Sequence, residues 1–282
     1  MSKFIISAFA DEIDADLTTQ MDVLDTHVIK HIEMRGVNGD NLTNYALDGV
    51  KEIKKQLDDR GFKLSAVGSP VGKIKITDDF APHLDLFKHT LDIAQIMETQ
   101  YIRLFSFFMP EENYAPYRDE VMARMSAFAA AAQGSGVTLL HENEKDIYGD
   151  TAERCLDILT TVNSPALKAT FDPANFVQCG VDTDKAFALL APYVEYIHVK
   201  DALYSDGSVM PAGMGDGRVK ELIARLKADG FEGFLSIEPH LAAFTGSGNL
   251  ENDDRFNKLS DGGAKTFAIA ATALEKILKE VE

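Results

Sequence analysis

VTLLHENE, residues 137–144, is the stretch on which the reading of this chain turns. An apolar run of strand length stops at an ionisable side chain, Glu142, and polar residues follow. The same pattern recurs in LKATFDPAN (167–175), which closes on Asp172, in VEYIHVKDA (194–202), which closes on His198, and in GFLSIEPH (233–240), which closes on Glu238. Parallel strands in a barrel all end on one rim, so three carboxylates and an imidazole would converge there. Like charges that close repel strongly unless a cation lies between them. The four endings therefore predict a closed parallel barrel with a divalent metal site at its mouth.

Working outward, strand-like runs are expected at residues 4–8, 29–34, 63–67, 101–106, 137–142, 168–172, 195–199 and 234–238. Helical patterns alternate with them, among them YALDGVKEIKKQLDDR (45–60), FAPHLDLFKHTLDIAQIME (80–98) and DEVMARMSAFAAAAQ (119–133), with a last helix near 262–281. Eight strand-then-helix units predict an α/β fold, a (β/α)8 barrel that uses residues 1–282 as one domain. Helix-to-strand connections are short and marked by Gly61, Gly134, Gly136, Pro165, Pro192, Gly230 and Gly233. Strand-to-helix connections are longer, such as GSPVGKIKITDD (68–79) and ALYSDGSVMPAGMGD (202–216). In barrels the long loops lie on the face where the strands end, which is where function concentrates.

Composition removes some partners. The 282 residues carry a net charge of −17, which argues against nucleic acid and anionic membrane as partners, since both need a basic surface. No apolar run approaches the roughly 18 residues of a membrane span. The opening MSKFIISAFADEID turns acidic at once and reads as a first strand. Cys155 and Cys179 have neither metal nor redox spacing and suit a reducing cytoplasm, the expected location.

Strand parity supports convergence, because residues two apart share a face. With Glu142 inward, Leu140 is inward, and Leu139 and His141 face the helices; His141 is then expected to pack against helices or to hydrogen-bond rather than to ligate. Thr170 joins Asp172, Tyr196 joins His198 and Ser236 joins Glu238, while Phe171, Ile197, Val199, Leu235 and Ile237 face outward. A single strand-end carboxylate more often caps the next helix or meets a basic side chain. Four on consecutive strands are better explained by a shared cation. Three carboxylates and one imidazole without thiolate favour Mn²⁺ or Mg²⁺, with Co²⁺ and Zn²⁺ able to bind. With the metal removed, the carboxylate pKa values are expected to rise.

These motifs resemble the sugar phosphate isomerase/epimerase family, whose fold is the xylose isomerase-like barrel. The resemblance spans almost the whole chain and rests on Glu142-Asn143, the Asp of FDPAN, the His of IHVKD and the Glu of SIEPH. It implies that Glu142, Asp172, His198 and Glu238 bind one divalent metal. It also implies that Glu142 and Glu238 lie on opposite faces of a sugar and exchange its proton. Two positions depart from the family pattern: Asn175 stands where many members have a substrate-touching His, and residues 201–207 lack the Arg that many epimerases carry, leaving Lys200 or Arg218 in its place.

Such a site supports removal of a proton beside a polarised carbonyl. Return to the opposite face gives epimerisation, return to the neighbouring carbon gives isomerisation, and loss of a β-hydroxyl gives dehydration. Substrate contacts are expected from Lys200, Asn175, His240, Ser106 and Lys73. Lys200 could equally pair with Glu238, Glu33 and Arg35 read as salt-bridge residues, and Phe107, Phe108 and Tyr114 read as loop packing or as a wall over a sugar. The expected partner is a small carbohydrate, and assembly into a homo-oligomer stays open. A non-catalytic metal- or sugar-binding barrel is the competing class. An endonuclease IV-like enzyme shares the barrel but needs additional metal-binding histidines, whereas His83 and His89 fall in a helical pattern and the surface is acidic.

Overall fold

A computed structural model of the chain describes residues 3–110, 113–241 and 262–281. Eight parallel strands close on themselves: β1 (Lys3–Ala8), β2 (His31–Met34), β3 (Lys63–Gly68), β4 (Tyr101–Leu104), β5 (Thr138–Glu142), β6 (Leu167–Phe171), β7 (Val194–Val199) and β8 (Glu232–Ile237). Each strand pairs with its neighbours in sequence, and β8 returns to β1 with Ser236 opposite Ser7. Helices follow the strands on the outside, ending with Gly263–Glu280.

Two layers of side chains fill the structure. Strand residues pointing outward meet the inner helix faces in a large apolar core that includes Leu139, Phe171, Ile197, Leu235 and Ile237. Helix Leu47–Asp59 shows why such segments are helical: Val50, Ile53 and Leu57 recur at three and four residues and are the buried positions. Inside the barrel, Ala66, Leu140 and Tyr196 pack together, with Tyr101 and Phe234 beside them. The inward sets expected from parity are there, since Glu142 is two residues from Leu140 and His198 two from Tyr196. Three polar interior groups are bonded in a chain: Ser65 Oγ lies 2.6 Å from Ser7 Oγ and 2.8 Å from the Tyr196 hydroxyl.

Several strand ends differ from the expected ones. The second strand begins at His31 rather than residue 29, and the fourth stops at Leu104, so Ser106 lies beyond it. The cause is tertiary: after Leu104 the chain turns to bond the loop after β3, with Phe105 N–H donating to the Val71 carbonyl (2.8 Å) and Phe107 N–H to the Gly72 carbonyl (3.0 Å). Asp172 and Glu238 each sit one residue past a strand, and His198 is next to last in β7.

The loops on the strand-end face are knitted together. Phe108 N–H donates to Ile74 O and its carbonyl accepts from Ile76 N–H, while Met109 N–H reaches Asp146 O. Gly72, at φ +86°, makes this possible, because a Cβ there would lie 2.0 Å from the Phe105 carbonyl oxygen.

Candidate metal centre

Four elements deliver the predicted ligands to one point. Glu142 ends β5 and is 2 % exposed; His198 and Asp172 are fully buried, and Glu238 is 5 % exposed. Asp172 caps the short helix Pro173–Gln178: its Oδ1 accepts Asn175 N–H at 2.8 Å, which leaves Oδ2 turned to the centre. Oδ2 makes no hydrogen bond of good geometry there. His198 Nδ1 lies 3.1 Å from Glu142 Oε1, 3.4 Å from Glu238 Oε2 and 3.6 Å from Asp172 Oδ2. One donor atom from each of the four lies within 4.8 Å of the others.

The fit to a divalent cation can be tested on these atoms. Three carboxylates and a ring nitrogen face one buried point, so the donor set suits a hard or borderline cation. The far side of the imidazole is fixed: Nε2 lies 3.2 Å from Glu33 Oε2, and Glu33 is fully buried. A carboxylate on the outer ring nitrogen sets the orientation of a ligating His and raises its basicity.

Cations surround the cluster. Lys200 Nζ is 2.9 Å from Asp172 Oδ2 and 3.0 Å from Glu238 Oε2. Arg103 Nη1 is 3.3 Å from Glu142 Oε2, and its Nε is 3.8 Å from Glu33 Oε1. These charges set the pKa values of the carboxylates. Burial pushes the Glu142 carboxyl up, but His198 and Arg103 together hold it down to about 2. Glu238 is likewise held well below the usual carboxylate range, with Lys200 and His198 outweighing burial. In the metal-free site both carboxylates thus stay below the usual range because positive groups lie beside them. Burial lowers the His198 pKa, yet Glu142 and Glu33 raise it well above the usual imidazole range.

The other expected contacts divide into those at the cluster and those away from it. Asn175 Nδ2 donates to Glu142 Oε1 (3.1 Å) and to the Asn143 carbonyl (2.9 Å), and so orients a candidate ligand. Asn143 in turn exchanges two 2.9 Å bonds with the Asp172 backbone. His240, at φ 44° and partly exposed, stands at the rim with Nδ1 3.5 Å from Glu238 Oε1 and Nε2 3.2 Å from Glu12 Oε1. Lys73 lies over the Phe105 ring at 4.1 Å and pairs with Glu144 at 3.5 Å. The Ser106 hydroxyl is engaged by His141 Nε2 (2.9 Å) and Gly149 N–H (2.8 Å). Burial pushes the His141 pKa down to about 4, so the ring is neutral. Phe107 is buried against Phe80 and Phe128, which leaves it no face for a sugar. Arg218 pairs with Asp184.

Sequence reasoning missed Arg103 and undervalued Glu33. The signal for Arg103 was a charged residue inside YIRL, sharing the inward face of Tyr101. Arg35, read as a salt-bridge residue, holds Asp11 and Glu12 and reaches to 3.8 Å from Glu238 Oε1.

Residues 28–255 match the family model described as the xylose isomerase-like TIM barrel. The chain belongs to that family. No curated protein matches the sequence of this family member significantly. Among solved structures, the IolI protein described with a binding zinc atom superposes with a TM-score of 0.77 at 14% identity, over 99% of each chain. A D-tagatose 3-epimerase-like protein gives 0.75 at 17% identity, over 99% of this chain and 100% of the other. The probable 3-DHS dehydratase AsbF of Bacillus anthracis gives 0.73 at 16% identity, over 97% and 98%. At these identities the likeness is one of fold. His83 and His89 are engaged by backbone groups: Gly72 N–H donates to His83 Nε2, and His89 Nε2 lies 2.9 Å from Tyr45 O. Among the described residues no helix is long and apolar enough to cross a membrane.

Proposed function

We propose that this xylose isomerase-like barrel is a divalent-metal-dependent isomerase or epimerase of a sugar, sugar phosphate or inosose, working by proton abstraction beside a carbonyl. The observation that carries the reading is the convergence of Glu142 and Glu238 with Asp172 and His198 in one buried four-donor cluster. A bound Mn²⁺ or Mg²⁺ would supply Lewis-acid polarisation of a carbonyl and its neighbouring hydroxyl. The chain's own residues then do the rest. Glu142 and Glu238, ionised by their cationic neighbours, accept and return the carbon-bound proton. Asn175 and Arg103 hold Glu142, and Lys200 holds Glu238, each fixing the direction of a carboxylate. Burial at the mouth keeps bulk water from these groups.

Dehydration is the second reading, favoured by the fold likeness to a probable dehydratase and by a site that starts with the same proton removal. A screen of ketoses, ketose phosphates and inososes with Mn²⁺ tests both. Isomerised or epimerised product supports the first reading and loss of water the second; no turnover by metal-loaded protein leaves a binding barrel.

A further inference from the structure

His198 lies next to last in β7 and Lys200 one residue past its end, so period-two alternation turns both buried side chains toward the barrel interior. There they meet the same atoms. Asp172 Oδ2 lies 3.6 Å from His198 Nδ1 and 2.9 Å from Lys200 Nζ. Glu238 Oε2 lies 3.4 Å from that ring nitrogen and accepts a hydrogen bond from Lys200 Nζ at 3.0 Å. The two contacts of the ammonium differ in kind. The one to Asp172 Oδ2 is an ion pair without good hydrogen-bond geometry, whereas the one to Glu238 is a hydrogen bond.

The arginines at the mouth are placed otherwise. Arg103 comes closest to Glu142 at Oε2, 3.3 Å away, whereas Oε1 is the oxygen 3.1 Å from His198 Nδ1. Arg35 comes closest to Glu238 at Oε1, 3.8 Å away, and lies nearer to Asp11, at 2.7 Å. Each arginine thus backs a carboxylate through the oxygen farther from the imidazole. Lys200 instead puts its charge between two carboxylates at the oxygens that face the imidazole. Its side chain is buried, so solvent screens that charge little. A divalent cation drawn to the same oxygens is repelled by it.

We infer that Lys200 is a built-in competitor for the metal: its ammonium neutralises Asp172 and Glu238 at the oxygens facing the imidazole, lowers the affinity of the cluster for a cation, and yields Asp172 Oδ2 when one binds while keeping its bond to Glu238. The inference rests on the metal-binding reading of the proposed function and adds a regulation to it. The affinity of the site is set below what three carboxylates and an imidazole would give by themselves. An ammonium on a flexible four-carbon stem can make that small shift without leaving the site. Glu144, half-buried on the loop after β5, is a further carboxylate within electrostatic reach of it.

The test measures Mn²⁺ binding to chelator-treated protein by calorimetry, for the unaltered chain, Lys200→Met and Arg35→Gln, with folding checked by circular dichroism. Lys200→Met keeps an unbranched side chain without the charge. It should bind Mn²⁺ on the order of tenfold more tightly. Damage to the structure would weaken binding, so a gain cannot come from misfolding. Arg35→Gln removes an equal charge beside the other oxygen of the same Glu238, and should change the affinity by less than about threefold. Unchanged or weaker binding by folded Lys200→Met overturns the inference. Equal gains in the two variants also overturn it, since the effect would then belong to charge at large and not to the shared oxygens. Failure of all three proteins to bind Mn²⁺ sinks the metal-binding reading itself, so the two failures are separable. Should Lys200→Met not fold, the ammonium is followed directly in the unaltered protein labelled with 15N-lysine and titrated with diamagnetic Zn²⁺. The Lys200 Nζ signal should shift and its protons should exchange faster with water as the contact to Asp172 is given up. A signal unmoved at metal saturation overturns the inference.

Discussion

Glu33 holds the nitrogen of His198 that faces away from the three carboxylates, with Oε2 3.2 Å from Nε2 and both side chains fully buried. This contact decides which nitrogen is offered at the barrel mouth, because a ring anchored at Nε2 presents Nδ1 to Glu142, Asp172 and Glu238. Glu33→Gln keeps the shape but removes one of the charges that raise the imidazole pKa. Metal affinity should fall about 10- to 100-fold, measured by titration of metal-free protein, with the fold retained by circular dichroism. An unchanged affinity would show that Glu33 has no part in orienting the ring.

His198→Ala removes the one nitrogen donor from the cluster. Protein purified without chelator should carry about one divalent cation per chain, and the variant should carry far less by elemental analysis. Full metal content in the variant would mean that the ligand assignment is mistaken.

The protonation of the metal-free site gives a pH prediction. His198 is held well above its ordinary 6.5 by Glu142 and Glu33 in spite of burial. Its contribution to stability is thus fully present below 6.5 and is lost as pH rises through its raised folded-state value. Glu142 behaves oppositely: its contribution is present above 4.5 and is lost as pH falls through about 2. A cation at Nδ1 must expel the His198 proton, so Mn²⁺ affinity should rise by up to about tenfold per pH unit across neutrality. Chelator-treated protein should have a lower Tm than loaded protein, and the gap should widen with pH, because metal binds the folded state alone. Metal affinity that is flat between about pH 6 and about pH 8 would count against His198 as a ligand.

Gly72→Ala would force a Cβ to 2.0 Å from the Phe105 carbonyl at a backbone φ of +86°. The loop after β3 must then part from the segment after β4. A loss of roughly 2–4 kcal/mol is expected in urea unfolding. A loss below about 1 kcal/mol would show that the two loops can separate without cost.

Much of this was legible in the sequence because the signals are local. An apolar run that stops at Glu142, Asp172, His198 or Glu238 marks a strand end, and period-two alternation tells which neighbours share its face. The alternation of strands and helices then yields the barrel. Illegible were the relations set only by closure. Glu33 and His198 are 165 residues apart and meet because β2 and β7 face the same interior, where the register shifts between Ile32 and Glu33. The fate of Ser106 was hidden for the same reason: β4 ends early to bond the loop after β3, and the hydroxyl goes to His141 and Gly149. Charge compensation was legible only in part. Pairing of Lys200 with Glu238 was one of two readings of the sequence, whereas its contact with Asp172 and the place of Arg103, 3.3 Å from Glu142, needed the folded chain.

The proposed mechanism makes the sharpest demand on Glu142 and Glu238. They come from β5 and β8, and their facing oxygens lie 3.1 and 3.4 Å from the same His198 nitrogen. A ketone seated between them would expose one face to each. Both are ionised without metal, so each can accept a proton at neutral pH. Glu142→Gln and Glu238→Gln preserve shape and one oxygen donor but abolish the base. Each should lower turnover by about two to four orders of magnitude while a measurable fraction of metal affinity remains. In deuterated water the unaltered protein should place deuterium on the carbon beside the carbonyl, provided the carboxylate exchanges its proton with solvent before returning it. An epimerase that divides the work between the two glutamates should show one further asymmetry. A single variant that still deprotonates from its intact side should wash label into one epimer of the substrate without forming the other. Full turnover by both variants would remove the glutamates from the acid–base role and leave a barrel that binds its ligand without this chemistry.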